Sequence, residues 1–239
     1  MGKIMALSHS RINDFDQCPL KFKLKYIDKA PEFKMDKTKS PHLIKGEKIH
    51  KYLEDYVNHR KEGKDDLGEN SLDAVENGKE FADKIIDQYG NENVFAELQL
   101  AVDDKWEPCD WFAPETYMRA IVDFSAYGEN QAEAIDWKSG KFTNYTPDSG
   151  FGQLELTAGF IFALKPEIEI AKTRYAYVEH RKAVNKEYKT EDFIPIRNYF
   201  DDKSAEINAE DKFLPKKNRF CRFCEATKSM CPHGTKEDI

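Results

Sequence analysis

A chain of 239 residues, 40% hydrophobic and 34% charged, can bury a proper core and reads as a single domain. No apolar run approaches the length of a membrane span, the longest being Phe160 to Leu164, and the N-terminus lacks the apolar stretch of a secretory signal, which points to a soluble, cytoplasmic protein. The formal charge of −7 argues against a generally sticky nucleic-acid binder. Its distribution is uneven, with 13 Lys/Arg against 8 Asp/Glu in residues 1–60 and 5 against 15 in residues 61–110. The basic first third could face a phosphate backbone, ordinary surface charge being the alternative.

Three parts follow one another: a helical stretch over residues 1–92, a sheet core over 93–180, and a C-terminal helix with a cysteine cluster over 181–239. The first helix runs from Ser8 or Ser10 as N-cap to Tyr26, with Ile12, Phe15, Phe22 and Tyr26 available for burial. Pro19 kinks or divides it beside Cys18. After a polar loop from Ala30 to Pro41, a second helix spans about Leu43 to His59 and contains Gly46-Glu47-Lys48-Ile49-His50. Residues 61–70 read as a charged loop, and Ser71 to Tyr89 as an acidic surface helix ending at Gly90. Val94 to Val102 alternates into a strand with Glu97 at its centre, and Cys109 beyond it reads as an unligated thiol.

The stretch from Ile121 to Gly140 reads as a β-hairpin. Asp123 and Asp136 are symmetric about Glu129-Asn130, so a loop centred there places the two aspartates opposite each other. Lys138 joins their face, while Ile135 and Trp137 point to the other. Two carboxylates at such range repel unless a cation sits between them, and Mg²⁺ or Mn²⁺ suits hard oxygen ligands with a phosphate substrate. The alternative is a cross-strand salt bridge on a solvated face.

A loop with Tyr145, Pro147, Asp148 and Gly150 then leads to a helix from about Phe151 to Leu164, on which Gln153 and Thr157 share a face. A strand over Thr173 to Glu179, a short one near Lys186 to Lys189, and a helix from about Asp192 to Asn208 burying Phe193, Ile194, Ile196, Tyr199, Phe200 and Ile207 complete the scaffold. The chain closes with Cys221-x-x-Cys224 and then Cys231-Pro232-His233. Two thiolates three apart grip one metal from a single turn, so a metal site is expected here rather than a disulfide framework. With His233 it would be a Cys₃His zinc knuckle; with Cys18 it would be a four-cysteine 4Fe–4S cluster joining the two ends of the chain. Lys216, Lys217, Arg219 and Arg222 stand beside it, able to meet a DNA end or to offset the cluster's charge.

These motifs resemble the PD-(D/E)xK nucleases, particularly the branch with the RecB nuclease domain, AddB and the iron–sulfur exonucleases associated with CRISPR. Asp123 matches the first acidic residue, Asp136-Trp137-Lys138 the acidic-x-Lys element, Gly46-x-x-x-His50 the histidine motif, and Gln153 the start of a Gln-x-x-x-Tyr motif in which Thr157 replaces the tyrosine. Cys18, within Gln17-Cys18-Pro19-Leu20-Lys21-Phe22, matches the first cluster ligand. The resemblance implies an α/β fold with a mixed central sheet flanked by helices. It implies Mg²⁺/Mn²⁺-dependent hydrolysis of DNA ends or single strands, with His50, Asp123, Asp136 and the Trp137 carbonyl holding the metal, Lys138 positioning water, and Gln153 contacting the strand. It favours iron–sulfur at Cys18, Cys221, Cys224 and Cys231, and makes Glu97 a secondary site candidate. The rival reading is a non-catalytic DNA-binding subunit acting with a recombinase, helicase or integration partner.

Overall fold

The computed structural model describes residues 6–34, 41–62, 73–142 and 151–237, and the chain divides into a terminal unit, Met1–Lys39 with Phe200–Ile239, and a central unit, Ser40–Tyr199. In the terminal unit, α1 (His9–Gln17) follows Ser8 as N-cap and stops at Cys18, whose backbone is extended at φ −166° and ψ 108°. Proline disfavours helical geometry in the residue before it, so Pro19 ends one helix and opens the next, α2 (Pro19–Phe22), which runs on into a π-helical turn over Lys23–Ile27. The break leaves Cys18 at the joint.

Ile12, Phe15 and Phe22 are buried as expected. Phe213, from the far end of the chain, stacks on Phe22 and meets Phe15 edge-on. Lys203 Nζ binds Asp16 at 2.8 Å, Lys216 Nζ donates to the Asp16 carbonyl at 2.8 Å, and the Asn218 amide donates to the Gln17 carbonyl at 2.9 Å. The two chain ends are thus packed together before any metal is considered.

The central unit is built on a five-stranded sheet of order β1-β2-β3-β4-β5. Its strands are β1 (Val94–Val102), β2 (Met118–Tyr127), β3 (Gln131–Lys138), β4 (Ile170–Tyr177) and β5 (Lys182–Lys189). All neighbours are antiparallel except β3 and β4, which run parallel because α5 (Gln153–Leu164) carries the chain back across the sheet. Helices α3 (Pro41–Lys61) and α4 (Asp73–Tyr89) bury Ile49, Leu53, Ile85 and Ile86 against Phe124, Ile135 and Trp137. The α5 helix lies on the other face, where Gln153 reaches Asp136. The expected mixed sheet with flanking helices is therefore present.

Three expectations need correction. The segment read as an acidic surface helix is a core element: Val75, Gly78, Ala82, Ile85, Ile86 and Tyr89 recur at three- and four-residue intervals and are buried, leaving the acids outside. The last strand begins at Lys182, four residues early, because its Lys-rich alternation is that of an exposed sheet edge protected by charge. In α6 (Phe193–Ala209), Ile196, Phe200 and Ile207 are buried but Ile194 is 55% exposed, lying off their stripe. The expected loop around Tyr145 to Gly150, and all of residues 61–70 beyond Glu62, lie outside the described residues. Among the described residues, no helix is long and apolar enough to cross a membrane.

Candidate metal centre

The hairpin turns where its symmetry requires. The Gly128 N–H donates to the Gln131 carbonyl at 2.7 Å, enclosing Glu129 and Asn130. The ladder then runs from Tyr127↔Ala132 to Phe124↔Ile135 and stops. The next pair in that register is Asp123 and Asp136. Here the strands exchange a side chain for a backbone bond, since the Trp137 N–H donates at 2.7 Å to Asp123 Oδ2. The Trp137 ring is buried on the opposite face, stacked on Phe124.

A second opening lies on the other side of β2. Ala96 pairs with Phe124 and Leu98 with Val122, leaving Glu97 and Asp123 facing each other outside the ladder. Glu97 adopts a left-handed backbone, φ 49°, a conformation that L-residues adopt in strands only when the surroundings hold them there. His50 enters from α3, whose Ile49 and Leu53 anchor it in the core. A Cβ at Gly46, one turn earlier, would stand 2.9 Å from Ser139 Oγ, so the helix passes close to the end of β3. Ligand atoms of His50, Glu97 and Asp123 all lie within 4.8 Å of one another, and His50 Nδ1 is 3.4 Å from Asp123 Oδ2. Burial works to lower the His50 pKa, but the bond to Asp123 and the charges of Asp123 and Asp136 outweigh it and raise the value. Desolvation, and then the charges of Asp123 and Glu54, raise that of Glu97.

Asp136 is held differently. Gln153 Nε2 donates to its Oδ1 at 2.5 Å, and Lys138 Nζ pairs with its Oδ2 at 2.5 Å. Lys138 also donates to Gln153 Oε1 at 3.4 Å and lies 4.6 Å from the centroid of the Tyr175 ring. Desolvation in the site, with the Asp123 charge adding and Lys138 opposing, pushes Asp136 up to about 6. Behind this layer Glu155 accepts from the Gly152 N–H at 2.7 Å, from the Tyr188 hydroxyl at 2.6 Å and from Lys186, fixing the start of α5 to β5. Thr157 is buried, and its hydroxyl donates to the Gln153 carbonyl at 3.0 Å, so it faces its own helix.

His50, Asp123, Asp136, Lys138 and Gln153 are thus brought together. The compact ligand triad, however, includes Glu97 in place of Asp136. Tyr175 and Glu155 were not singled out from sequence; the pairing of Asp136 with Tyr175 across parallel strands depends on the crossover, which leaves no local trace. In the terminal unit, backbone N–H groups of Lys216, Asn218 and His233 donate to the sulfurs of Cys18, Cys221 and Cys231 at 3.3–3.4 Å. Burial raises the Cys224 thiol pKa, with the Ala226 N–H and Lys21 opposing it.

The family model described as the PD-(D/E)XK nuclease superfamily matches residues 6–232. A solved structure described as the crystal structure of SSO0001 is similar in fold, with 13% sequence identity and a TM-score of 0.50 over 99% of this chain and 90% of that one. No curated protein matches the chain. With the family match running through nearly the whole sequence, and with the acidic pair, the lysine and the mixed sheet in one unit, the chain belongs to the PD-(D/E)XK nuclease superfamily.

Proposed function

We propose that this protein is a divalent-metal-dependent deoxyribonuclease of the RecB-like branch, acting as an exonuclease on DNA ends or single strands. The observation that carries the reading is the convergence of His50, Glu97 and Asp123 beside the Asp136–Lys138–Gln153 group. One ring nitrogen and two carboxylates within 4.8 Å of one another fit a hard cation that keeps several coordination positions for water and phosphate. A Mg²⁺ or Mn²⁺ ion, when bound, supplies Lewis-acid polarisation of the phosphate and acidifies water. His50, Glu97 and Asp123 would hold the ion, with Asp136 and the Trp137 carbonyl as further candidate ligands. Lys138 orients the attacking water and offsets charge on the phosphate. Gln153 keeps Asp136 and Lys138 in place and reaches the strand.

The cysteines of the terminal unit are assigned to a structural 4Fe–4S cluster. Cys18, standing where the resemblance puts the first cluster ligand, supplies the fourth sulfur in place of His233. Backbone N–H groups directed at three of the sulfurs suit a cluster carrying negative charge. Brown anaerobic protein that loses colour in Cys18→Ala supports this; colourless protein with stoichiometric zinc overturns it.

The nuclease reading is tested by digesting end-labelled single- and double-stranded linear DNA beside a closed circle, with Mg²⁺, Mn²⁺ or EDTA, for wild type and Lys138→Ala. Metal-dependent loss of linear substrates, absent in the variant, is expected. Inactivity of folded, cluster-loaded wild type under both metals would replace the reading with that of a DNA-binding subunit for a recombinase, helicase or integration partner.

A further inference from the structure

Between Lys212 and Cys224 the chain carries five Lys/Arg and no acidic residue, although its total charge is −7. Phe220 and Phe223 flank and close the short turn Cys221–Phe223 and are 44% and 66% exposed. Each has an arginine over its ring: Arg219 lies 4.9 Å from the Phe220 centroid and Arg222 4.6 Å from that of Phe223. The turn is fixed. The Phe220 N–H donates to Asn218 Oδ1 at 2.8 Å, the Asn218 amide is tied to the Gln17 carbonyl, and the Phe223 N–H donates to the Phe220 carbonyl at 2.9 Å. Neither ring is needed for the unit's aromatic core, where Phe213 already fills the place beside Phe15 and Phe22.

A ring backed by a guanidinium offers a face for a base and a charge for a phosphate at one position, whatever the sequence. A duplex keeps its base faces inside the stack, so only unpaired bases can use it. We propose that Phe220 and Phe223, with Arg219 and Arg222, form a stacking platform for single-stranded DNA. The proposal rests on the DNA-processing reading above and gives it a preference for unpaired strands.

The test uses the full chain, cluster-loaded and in EDTA so that binding is read without cleavage, by fluorescence anisotropy of labelled oligothymidylate, an abasic strand of equal length, and a duplex. Wild type should bind oligothymidylate more tightly than either of the others. Phe220→Leu with Phe223→Leu should lose between about 5-fold and 150-fold per stacked base on oligothymidylate and little on the abasic strand. Phe220→Trp with Phe223→Trp should hold or raise affinity, which keeps the test decisive even where the leucine variant is poorly folded. Arg219→Ala with Arg222→Ala should flatten the salt dependence.

Equal losses on thymidylate and abasic strands, lower affinity in the tryptophan variant, or a dimer in sedimentation that the leucine variant dissolves would each overturn the platform. Wild type that binds in this way yet cleaves nothing would remove the nuclease reading and leave the platform standing. Cleavage with no dependence on the rings would do the reverse.

Discussion

Glu97 is costly to the fold as it stands: a left-handed non-glycine residue inside a strand costs on the order of 1–3 kcal/mol, and its carboxylate faces that of Asp123. Two acids in that position are better tolerated with a cation between them. Glu97→Gln should therefore raise the Tm of the protein in EDTA. It should also shrink the further rise on adding Mn²⁺, with metal affinity down by about tenfold or more; calorimetry with and without metal reads both effects. An unchanged Mn²⁺ response would remove Glu97 from the ligand set. The sequence made Asp123, Asp136 and Lys138 legible because a hairpin's symmetry is local arithmetic. Glu97 was less legible because its pairing with Asp123 joins strands separated by the connection from Asp103 to Tyr117, whose length does not fix the register.

At the scale of elements, two glycines beside α3, Gly46 within it and Gly78 on α4, differ in what a side chain would meet. A Cβ at Gly46 would meet only Ser139 Oγ, the end of a side chain that can rotate away. Alanine there gains helix propensity of about 1 kcal/mol, so Gly46→Ala should be neutral or slightly stabilising. At Gly78 of α4 a Cβ would lie 2.6 and 2.7 Å from the two methyls of Leu53, which is fully buried. Overpacking of this kind costs about 1–3 kcal/mol and outweighs the propensity gain. Gly78→Ala should thus lower the urea midpoint and also weaken Mn²⁺ binding, since Leu53 lies one turn from His50. Loss of stability in Gly46→Ala and not in Gly78→Ala would contradict this packing. The helices and strands themselves were readable from periodicity. Composition masks the rest: the acids of α4 obscure its buried stripe, and the lysines of β5 obscure the start of an edge strand.

At the scale of the whole molecule, each chain end of the terminal unit depends on the other. Asp14 is buried there between Lys21, Lys25 and Tyr26, at 2.6, 2.8 and 2.7 Å. Burial works to raise its pKa, but these three bonds outweigh it and hold the carboxyl below its ordinary 3.8. A depressed carboxyl contributes stability that is full above the unfolded value and is lost as pH falls through the folded one. Acid titration below about pH 4 should therefore release the terminal unit, and Asp14→Asn should already cost about 1–3 kcal/mol at neutral pH. Hydrogen exchange resolved by segment is the measurement: protection should fall over residues 6–34 and 210–237 and persist in β1 to β5. Uniform loss across the chain would show that the two units unfold together.

The sequence by itself determined what spacing and local chemistry can carry: the opposed aspartates, the lysine on their face, the break at Pro19 that sets Cys18 at a joint, and the Cys-x-x-Cys turn. Each needs only a few consecutive residues or the symmetry of one turn. Only the tertiary structure decided that Glu97 enters the triad, that Gln153 clasps Asp136 while Thr157 turns inward, and that Glu155 ties the start of α5 to β5. Those depend on strand register across a long connection, on the handed crossover that makes β3 and β4 parallel, and on how closely α3 approaches the sheet. All three are set by packing between segments far apart in the chain, and local periodicity does not encode them.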